Sequence, residues 1–331
     1  MKDLKEQLNG IGLFSKNNMY DIIDILACPV CGNPVTKTNN KLSCSNNDCK
    51  KSYSLLFDNI FSFLDNDQSD DTELSIEKWD EFYSDKTKFK DYENRYQLYV
   101  EDNFSNVYRQ LSEYKKFQKG KTVFLEIGCG PMFLARALSS KCKFVVGIDF
   151  SLEALKTAQV MLEKNKIKNY ILIHGDIKNI PIQDNSIDIL YGGGVIEHFT
   201  DTYTAIKELH RVLKPSGISF NTVPHLNIGS LTYRQVWGNI PNFPVLKQIA
   251  EFIHIRLLKS KHMTFGYEMS FLASHLKYLH KKAGFSKIKS TKFETKLMFE
   301  FIPTTFLKHL FSWLANNSPL FWPMIKVIGI K

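Results

Sequence analysis

The chain has 331 residues, 44% of them hydrophobic, and a formal net charge of +9. This length and composition are typical of one globular domain with appendages. No apolar signal segment begins the chain, and no uninterrupted apolar run reaches the roughly eighteen residues that a bilayer span needs, so we expect a cytoplasmic protein. The positive charge leaves RNA or an anionic membrane open as partners, because the lysines are spread along the chain without an arginine-rich tract.

Four cysteines near the N-terminus form two pairs, Cys28-Pro-Val-Cys31 and Cys44-Ser-Asn-Asn-Asp-Cys49. Zinc prefers four thiolates in a tetrahedron, and each short turn of this kind supplies two of them. We therefore expect a structural Zn²⁺ on these four cysteines, in a small domain over residues 1–64 that begins with a helix. A metal-free remnant and a redox pair at Cys28 and Cys31 are the alternatives.

Residues 65–78 are acidic and polar without periodicity and are expected to be a linker. From Trp79 onward, aromatic residues recur mostly every three to four positions, which predicts helices over residues 79–120. These helices would precede the first strand of the next domain and cover its ligand site.

The next segment has the pattern of a nucleotide site. The apolar run Val123 to Ile127 stops at Gly128-Cys-Gly130, and a second apolar run ends in Asp149, twenty-one residues after Gly128. Closely spaced glycines let a ligand approach the backbone, and a carboxylate at the second strand end can bind both hydroxyls of a ribose. A dinucleotide fingerprint would need a third glycine where Phe133 stands, whereas the negative charge of Glu126 suits a positively charged ligand.

With its acidic residue before G-x-G, the segment resembles the class I S-adenosylmethionine-dependent methyltransferases. Met132 replaces the last glycine of their motif and is expected to narrow the pocket beside the amino-acid tail of the cofactor. The similarity continues in the family order to about Ser290. It implies a Rossmann-like seven-stranded α/β sheet flanked by helices over residues 121–301, with the sixth strand near Ser286–Lys292 and the seventh near Leu297–Phe301. The implied cofactor residues are Glu126, Gly128, Cys129, Gly130, Asp149, Phe150, Asp176, Ile177 and Gly192.

The residues that contact the methyl acceptor are harder to assign. Methyl transfer depends mainly on aligning the donor with the acceptor, and it needs a catalytic base only for some acceptors. His198 follows the fourth strand and is the candidate base, with helix capping as the alternative interpretation. An insertion over residues 225–269 is expected to cover the acceptor, and it contains the candidate substrate residues His225, His262 and Tyr267. Gly192-Gly-Gly194 stands where enzymes acting on amide or base nitrogens carry Asn-Pro-Pro-Tyr, which counts against such acceptors.

The segment 302–331 is apolar, aromatic and sparsely basic. A helix that docks on the domain is the first interpretation of this tail, and a helix that lies in a membrane interface is the second.

The cysteine module resembles the zinc-ribbon family typified by the activator protein of tRNA and translation-factor methyltransferases. Together the motifs favour a methyltransferase acting on a small or lipid-like molecule connected with quinone, lipid or polysaccharide metabolism. The motif Asn185-Ser-Ile-Asp-Ile189 supports similarity to the general-purpose group that includes quinone-biosynthesis enzymes. Methylation of ribosomal RNA or tRNA and a non-catalytic cofactor-binding scaffold are the alternatives.

Overall fold

The structure, a computed structural model, describes residues 23–38, 41–57, 59–64, 70–85, 106–293, 299 and 302–331, without the side chains of residues 70–74. The described strands are β1 (Val35–Thr38), β2 (Lys41–Cys44), β3 (Ser52–Leu56), β4 (Ile60–Ser62), β5 (Val123–Ile127), β6 (Phe144–Asp149), β7 (Tyr170–His174), β8 (Ile187–Gly193), β9 (Leu213–Pro224), β10 (Ile240–Pro241), β11 (Met269–Ser270), β12 (Ser286–Phe293) and β13 (Met324–Ile330).

All of these strands except β10 and β11 form one sheet in the order β1-β2-β3-β4-β7-β6-β5-β8-β9-β13-β12. The strands from β4 through β9 run parallel, whereas β13 pairs antiparallel with both β9 and β12. All five residues of β5 are buried, as expected for a parallel strand with helices on both faces. The predicted α/β sheet is confirmed, but it has eleven strands rather than seven because the cysteine module adds four.

The cysteine module is joined to the sheet by backbone pairing as well as by packing. Strand β4 pairs with β7, with Ile60 opposite Leu172. The backbone N–H of Ala27 donates to the Pro181 carbonyl at 3.0 Å. Leu26, Val35 and Leu42 of the module share a core cluster with Ile177, Ile180 and Ile182. The module therefore packs against the loop that follows β7.

The described helices are α1 (Asp70–Ser84), α2 (residues 106–114), α3 (Phe133–Leu138), α4 (Leu152–Lys164), α5 (Thr202–Val212), α6 (Pro244–Glu251), α7 (Ala273–Lys282) and α8 (Thr305–Asn317). Ser151 caps α4, and its Oγ accepts from the Ala154 N–H at 3.1 Å. Helix α1 begins at Asp70, within the segment expected to be a linker. Within the described residues, no helix combines the length and apolar character needed to cross a membrane.

The seventh strand of the methyltransferase part is β13, Met324–Ile330, which corrects the assignment of this strand to Leu297–Phe301. Of the predicted range only Phe299 lies within the described residues, where it forms part of a turn. Strand β13 inserts between β9 and β12, with Ile325 opposite Val223. The second half of the segment 302–331 is thus part of the sheet, and only its first half, around α8, remains an appendage.

Candidate functional site

The turn after β5 brings the backbone close to a cavity. Gly128 and Gly130 have φ values of +50° and +47°, a conformation that glycine adopts without strain. A Cβ at Gly128 would lie 2.6 Å from a methyl group of Val195, and one at Gly130 would lie 2.6 Å from the Tyr83 hydroxyl. Side chains at these two positions would therefore crowd Val195 and Tyr83 and occupy space in which a ligand could contact the backbone of the loop.

Asp149, at the end of β6, holds the glycine turn against the neighbouring strand. Its Oδ2 accepts from the Gly130 N–H at 2.8 Å and its Oδ1 from the Ser151 N–H at 2.9 Å. Burial raises the pKa of this carboxyl to about 6, although both backbone hydrogen bonds act in the opposite direction. A ligand that donates hydrogen bonds to this carboxylate would favour its ionised form.

Glu126 places a second carboxyl beside the same turn. Its Oε2 accepts from the Ala135 N–H at 2.7 Å, in the first turn of α3. Burial raises the pKa of Glu126 to about 7, and the backbone N–H groups of Ala135 and Leu134 partly offset this rise. The two carboxyls together can supply negative charge to a cationic ligand in a site of low dielectric.

Helix α1 covers this side of the sheet and is fastened at two places. Ser151 Oγ donates to Asp80 Oδ1 at 2.5 Å, and Ser75 Oγ accepts from the Tyr267 N–H at 3.1 Å. Trp79 stacks on Phe265 with ring centroids 6.1 Å apart. The helix is thus bound on one side to the start of α4 and on the other to the insertion after β9.

Between α1 and the strand ends lies a cavity of about 1040 Å³, its open mouth included. Predicted residues that line it are Glu126, Gly128, Cys129, Gly130, Asp149, Phe150, Ile177 and His198. Asp176 and Gly192 do not line it, but they are adjacent to Ile177 and Gly193, which do. Ser75, Trp79, Tyr191 and Phe199 also line the cavity; of these, only Trp79 lay in a segment predicted to cover a ligand.

His198 faces the cavity from the turn after β8 and is 9% exposed. Its Nδ1 lies 2.6 Å from the Tyr267 carbonyl, which can only accept, so Nδ1 carries a hydrogen. Burial lowers the pKa of His198, while Glu268 and the carbonyls of Tyr267 and Gly194 act to raise it. At neutral pH the ring is therefore neutral, with Nε2 as the nitrogen that can accept a proton.

The three predicted substrate residues do not line this cavity. His225 contacts Asn227 through Nδ1 at 3.0 Å and lies beside Trp322. His262 Nε2 is 2.8 Å from His254 Nδ1, inside the insertion. Tyr267 donates its hydroxyl to Glu251 at 2.6 Å, and its carbonyl orients His198. Tyr267 alone of the three is connected to the cavity, through its backbone.

Behind His198, the insertion contains a buried polar cluster that was not predicted from the sequence. Arg234 pairs with Glu268 at 3.2 Å, and both side chains are almost completely buried. The neighbouring Glu197 is 1% exposed, and burial raises its pKa well above the usual range. The Arg234–Glu268 pair joins two parts of the insertion, and the hydrogen bond between His198 and the Tyr267 carbonyl joins the insertion to the turn that carries His198. In the sequence, the sign of such a cluster is the presence of charged residues within an otherwise apolar segment.

Met132, which replaces the last glycine of the family motif, does not enter the cavity. It keeps the left-handed backbone typical of glycine, with φ of +54°, and its side chain is fully buried. Its sulfur packs where a Cβ would stand on Gly147 of β6. The expectation that Met132 narrows the cofactor pocket is therefore wrong, because the side chain points into the core.

The four cysteines of the N-terminal module come together. The sulfurs of Cys28, Cys31, Cys44 and Cys49 all lie within 4.8 Å of one another. The Cys28–Cys49 and Cys31–Cys44 sulfur distances are 3.7 and 3.4 Å, and sulfurs around a tetrahedral zinc ion are about 3.8 Å apart. The donor set and its spacing fit a structural zinc ribbon.

Comparison with known sequences finds relatives of the part of the chain that forms this cavity. A family model described as "Methyltransferase domain" matches residues 125–220. Demethylmenaquinone methyltransferase of Geobacillus stearothermophilus is 38% identical over 106 residues, 31% of this chain and 44% of the relative. The Staphylococcus haemolyticus enzyme of the same name is 32% identical over 185 residues, 51% of this chain and 70% of the relative. The chain thus spans less than half of the Geobacillus relative.

Among solved structures, a similar chain comes from the complex between the Haloferax volcanii Trm112 methyltransferase activator and a methyltransferase. The alignment covers 76% of this chain and 96% of that chain, with a TM-score of 0.51 and 15% identity, so it bears on the fold alone. The fold and the sequence relatives lead to one assignment. This chain belongs to the class I S-adenosylmethionine-dependent methyltransferases.

Proposed function

We propose that this protein transfers a methyl group from S-adenosylmethionine to a small or lipid-like acceptor, for which a quinone-type ring is one candidate. The observation that carries the proposal is the cavity at the carboxyl ends of β5, β6 and β8, with Glu126 and Asp149 beside the glycine turn. Relatives named as demethylmenaquinone methyltransferases support an acceptor of this chemical kind.

In this proposal the cofactor supplies an electrophilic methyl group on a positively charged sulfur. Asp149 accepts hydrogen bonds from the ribose, and Glu126 provides negative charge near the cationic part of the ligand. Ile177 and Phe150 also line the cavity and provide apolar contact for the adenine base. Trp79 of α1 shields the cavity from water, which favours a direct displacement between aligned groups.

His198 is proposed to act where the acceptor atom carries a proton. When bound, S-adenosylmethionine would supply the methyl group to the acceptor atom, and its sulfur would leave with the electron pair of the carbon–sulfur bond. The acceptor's proton then passes to Nε2 of the neutral His198, while Nδ1–H remains bonded to the Tyr267 carbonyl. The hydrogen bond to Tyr267 sets both the tautomer and the ring orientation.

The ribbon is proposed to hold a structural Zn²⁺ on its four cysteines. All four tetrahedral positions would be used by protein ligands, so the ion would have no role in the transfer itself. We place the protein in the cytoplasm, in contact with the inner face of the membrane, since the acceptor is proposed to be lipid-like.

The test is methyl transfer from radiolabelled S-adenosylmethionine to a cell extract separated into lipid, small-molecule, RNA and protein pools. The proposal predicts label in the lipid or small-molecule pool, and transfer reduced roughly 10–100-fold in the Asp149→Asn variant when the donor is far below saturation. The exposed variant Glu163→Gln, remote from the cavity, should transfer normally. Label confined to RNA, or no label despite cofactor binding, would contradict the proposed acceptor class.

A further inference from the structure

Among the described residues, about half of the large exposed apolar side chains lie on two elements, helix α6 with the turn that follows it and helix α8. Helix α6 continues into a π-helical turn, Phe252–Leu257, and only Ala250 and His254 of the combined segment are buried. The exposed apolar side chains include Val245, Leu246, Ile249, Phe252, Ile253 and Leu257. Their spacing of three to four residues places them on one face of the helix.

Helix α8 presents a second face of the same kind. Ala315 is its one buried residue, while Phe306, Leu307, Leu310, Phe311, Trp313 and Leu314 are exposed. Phe306 is 71% exposed and Trp313 61%. A helix that merely docks on the domain would bury these large side chains, and α8 buries its small residue instead.

The two faces are connected through the short helical turn Tyr233–Trp237. His254, beside α6, bonds to Gln235 of this turn at 2.7 Å, and Tyr233 packs with Phe299 and Ala315 under α8. Val236, on the same turn, is itself 65% exposed. Single exposed apolar residues are ordinary, but a group of this size on adjoining elements is typical of an interaction surface.

Charge indicates what this surface contacts. Arg256 lies within the π-helical turn, Lys259 and Lys261 follow it, and all three side chains are exposed. From residue 226 to residue 265 the one acidic residue is Glu251, whose carboxylate accepts from the Tyr267 hydroxyl, and residues 302–331 contain none. A second copy of the chain would bring like charges together on this surface, whereas an anionic bilayer offers both the apolar and the negative component.

We propose that α6 with its π-helical turn, together with α8, forms a membrane-docking surface that lies in the interface of an anionic bilayer. Each element is only about 20 Å long at 1.5 Å per residue, against roughly 30 Å of hydrocarbon, so both lie along the membrane. The insertion that carries α6 also contains Tyr267, whose carbonyl is hydrogen-bonded to His198. A bilayer docked on α6 would therefore lie near the side of the cavity where His198 is proposed to meet the acceptor. The contact itself does not depend on the proposed function; only its purpose, delivery of a lipid-like acceptor, does.

The experiment is co-sedimentation of the full chain with vesicles of phosphatidylcholine containing phosphatidylglycerol, compared with phosphatidylcholine alone. We expect the wild type to bind the anionic vesicles, with affinity falling as salt is added. The pairs Phe252→Ser/Leu257→Ser and Phe306→Ser/Trp313→Ser should each weaken binding by roughly tenfold or more. Lys259→Gln/Lys261→Gln should weaken binding to anionic vesicles roughly tenfold at low salt.

Matched controls remove equally exposed side chains elsewhere. Val30→Ser/Val160→Ser and Lys277→Gln/Lys281→Gln should bind like the wild type, and thermal unfolding of every variant checks that it is folded. The proposal is overturned if the wild type pellets no more with anionic vesicles than without them, or if the controls lose as much binding. A dimer in sedimentation velocity that the two serine pairs dissociate, without vesicle binding, would assign the surface to a second copy. Because the assay contains no acceptor, its failure would leave the proposed methyl transfer untouched.

Discussion

Among single residues, two carboxyls beside the glycine turn are central to the proposed binding of the cofactor, and burial makes both of them weaker acids than usual. Asp149 and Glu126 have pKa values raised to about 6 and about 7, with burial as the main cause in each. Each folded-state pKa lies above the unfolded value, so the ionised form is disfavoured and the resulting loss of stability grows as pH rises through the folded pKa. A cationic ligand with ribose hydroxyls favours the ionised form and relieves this penalty.

Cofactor affinity should therefore depend on pH in a defined direction. As pH falls from 8 to 5.5, the free protein gains protons on Glu126 and then Asp149, and binding must displace them, so affinity should decrease progressively below about pH 7. Calorimetry in buffers of different ionisation enthalpy should detect proton release near pH 6.5. An affinity that stays constant over this range would show that neither carboxyl contacts the ligand.

His198 should affect turnover without affecting cofactor binding. Since a positioned base typically contributes 10²–10⁴-fold, His198→Ala should reduce kcat by about that factor if the acceptor atom carries a proton. The dissociation constant for S-adenosylmethionine should remain within about twofold of the wild type, because the ring meets the acceptor side. Unchanged turnover with the true acceptor would leave His198 with a purely structural role in the turn after β8.

At the scale of elements, the glycine turn after β5 and helix α1 constrain each other. Gly130→Ala should weaken cofactor binding, because the new methyl group would lie 2.6 Å from the Tyr83 hydroxyl and force this cavity-lining side chain to shift. Gly120→Ala is the matched control: its φ of +77° gives a similar backbone strain of about 1 kcal/mol, but no atom lies within 4 Å. Titration calorimetry and thermal unfolding of both variants separate the two effects. Equal losses of affinity would mean that backbone strain alone is responsible.

Much of the element order was predictable from local patterns. Strands β5, β6 and β7 are continuous apolar runs that end in glycine or acidic residues, so their positions and their ligand side follow from the sequence. Strand β13 was missed because its partner β9 ends a hundred residues earlier, and the intervening apolar helix made the tail look like an appendage. The pairing of Arg234 with Glu268 joins residues 34 positions apart, and no local pattern indicates it. The cavity residues contributed by α1 depend on how that helix packs, which periodicity does not specify.

At the scale of the whole molecule, the ribbon and the cofactor side of the sheet form one packed unit. The first cysteine pair brackets Pro29, whose carbonyl accepts from Asn179 Nδ2 at 2.8 Å, and Asn179 ends the turn that begins with the cavity residue Ile177. Ribbon residues share a core cluster with that turn. The ribbon therefore packs against the loop that is expected to contact the adenine base of the cofactor.

Removal of the proposed Zn²⁺ from the ribbon should consequently affect the cofactor site. Treatment with a chelator should lower the melting temperature by several degrees and weaken S-adenosylmethionine binding, because the ribbon fold that supports Ile177 would loosen. Added Zn²⁺ should restore both, whereas Mg²⁺, which prefers oxygen ligands, should restore neither. A chelated sample that keeps its melting temperature and its affinity would separate the ribbon from the cofactor site.

The most direct test of the central claim is titration calorimetry of the full chain with S-adenosylmethionine and with its demethylated product. We predict saturable binding at one site, roughly 10–100-fold weaker in Asp149→Asn and unchanged in Glu163→Gln, since hydrogen bonds to a charged group contribute about 1.5–3 kcal/mol. The absence of binding by a correctly folded wild type, or full affinity in Asp149→Asn, would contradict the assignment of this cavity to the methyl donor.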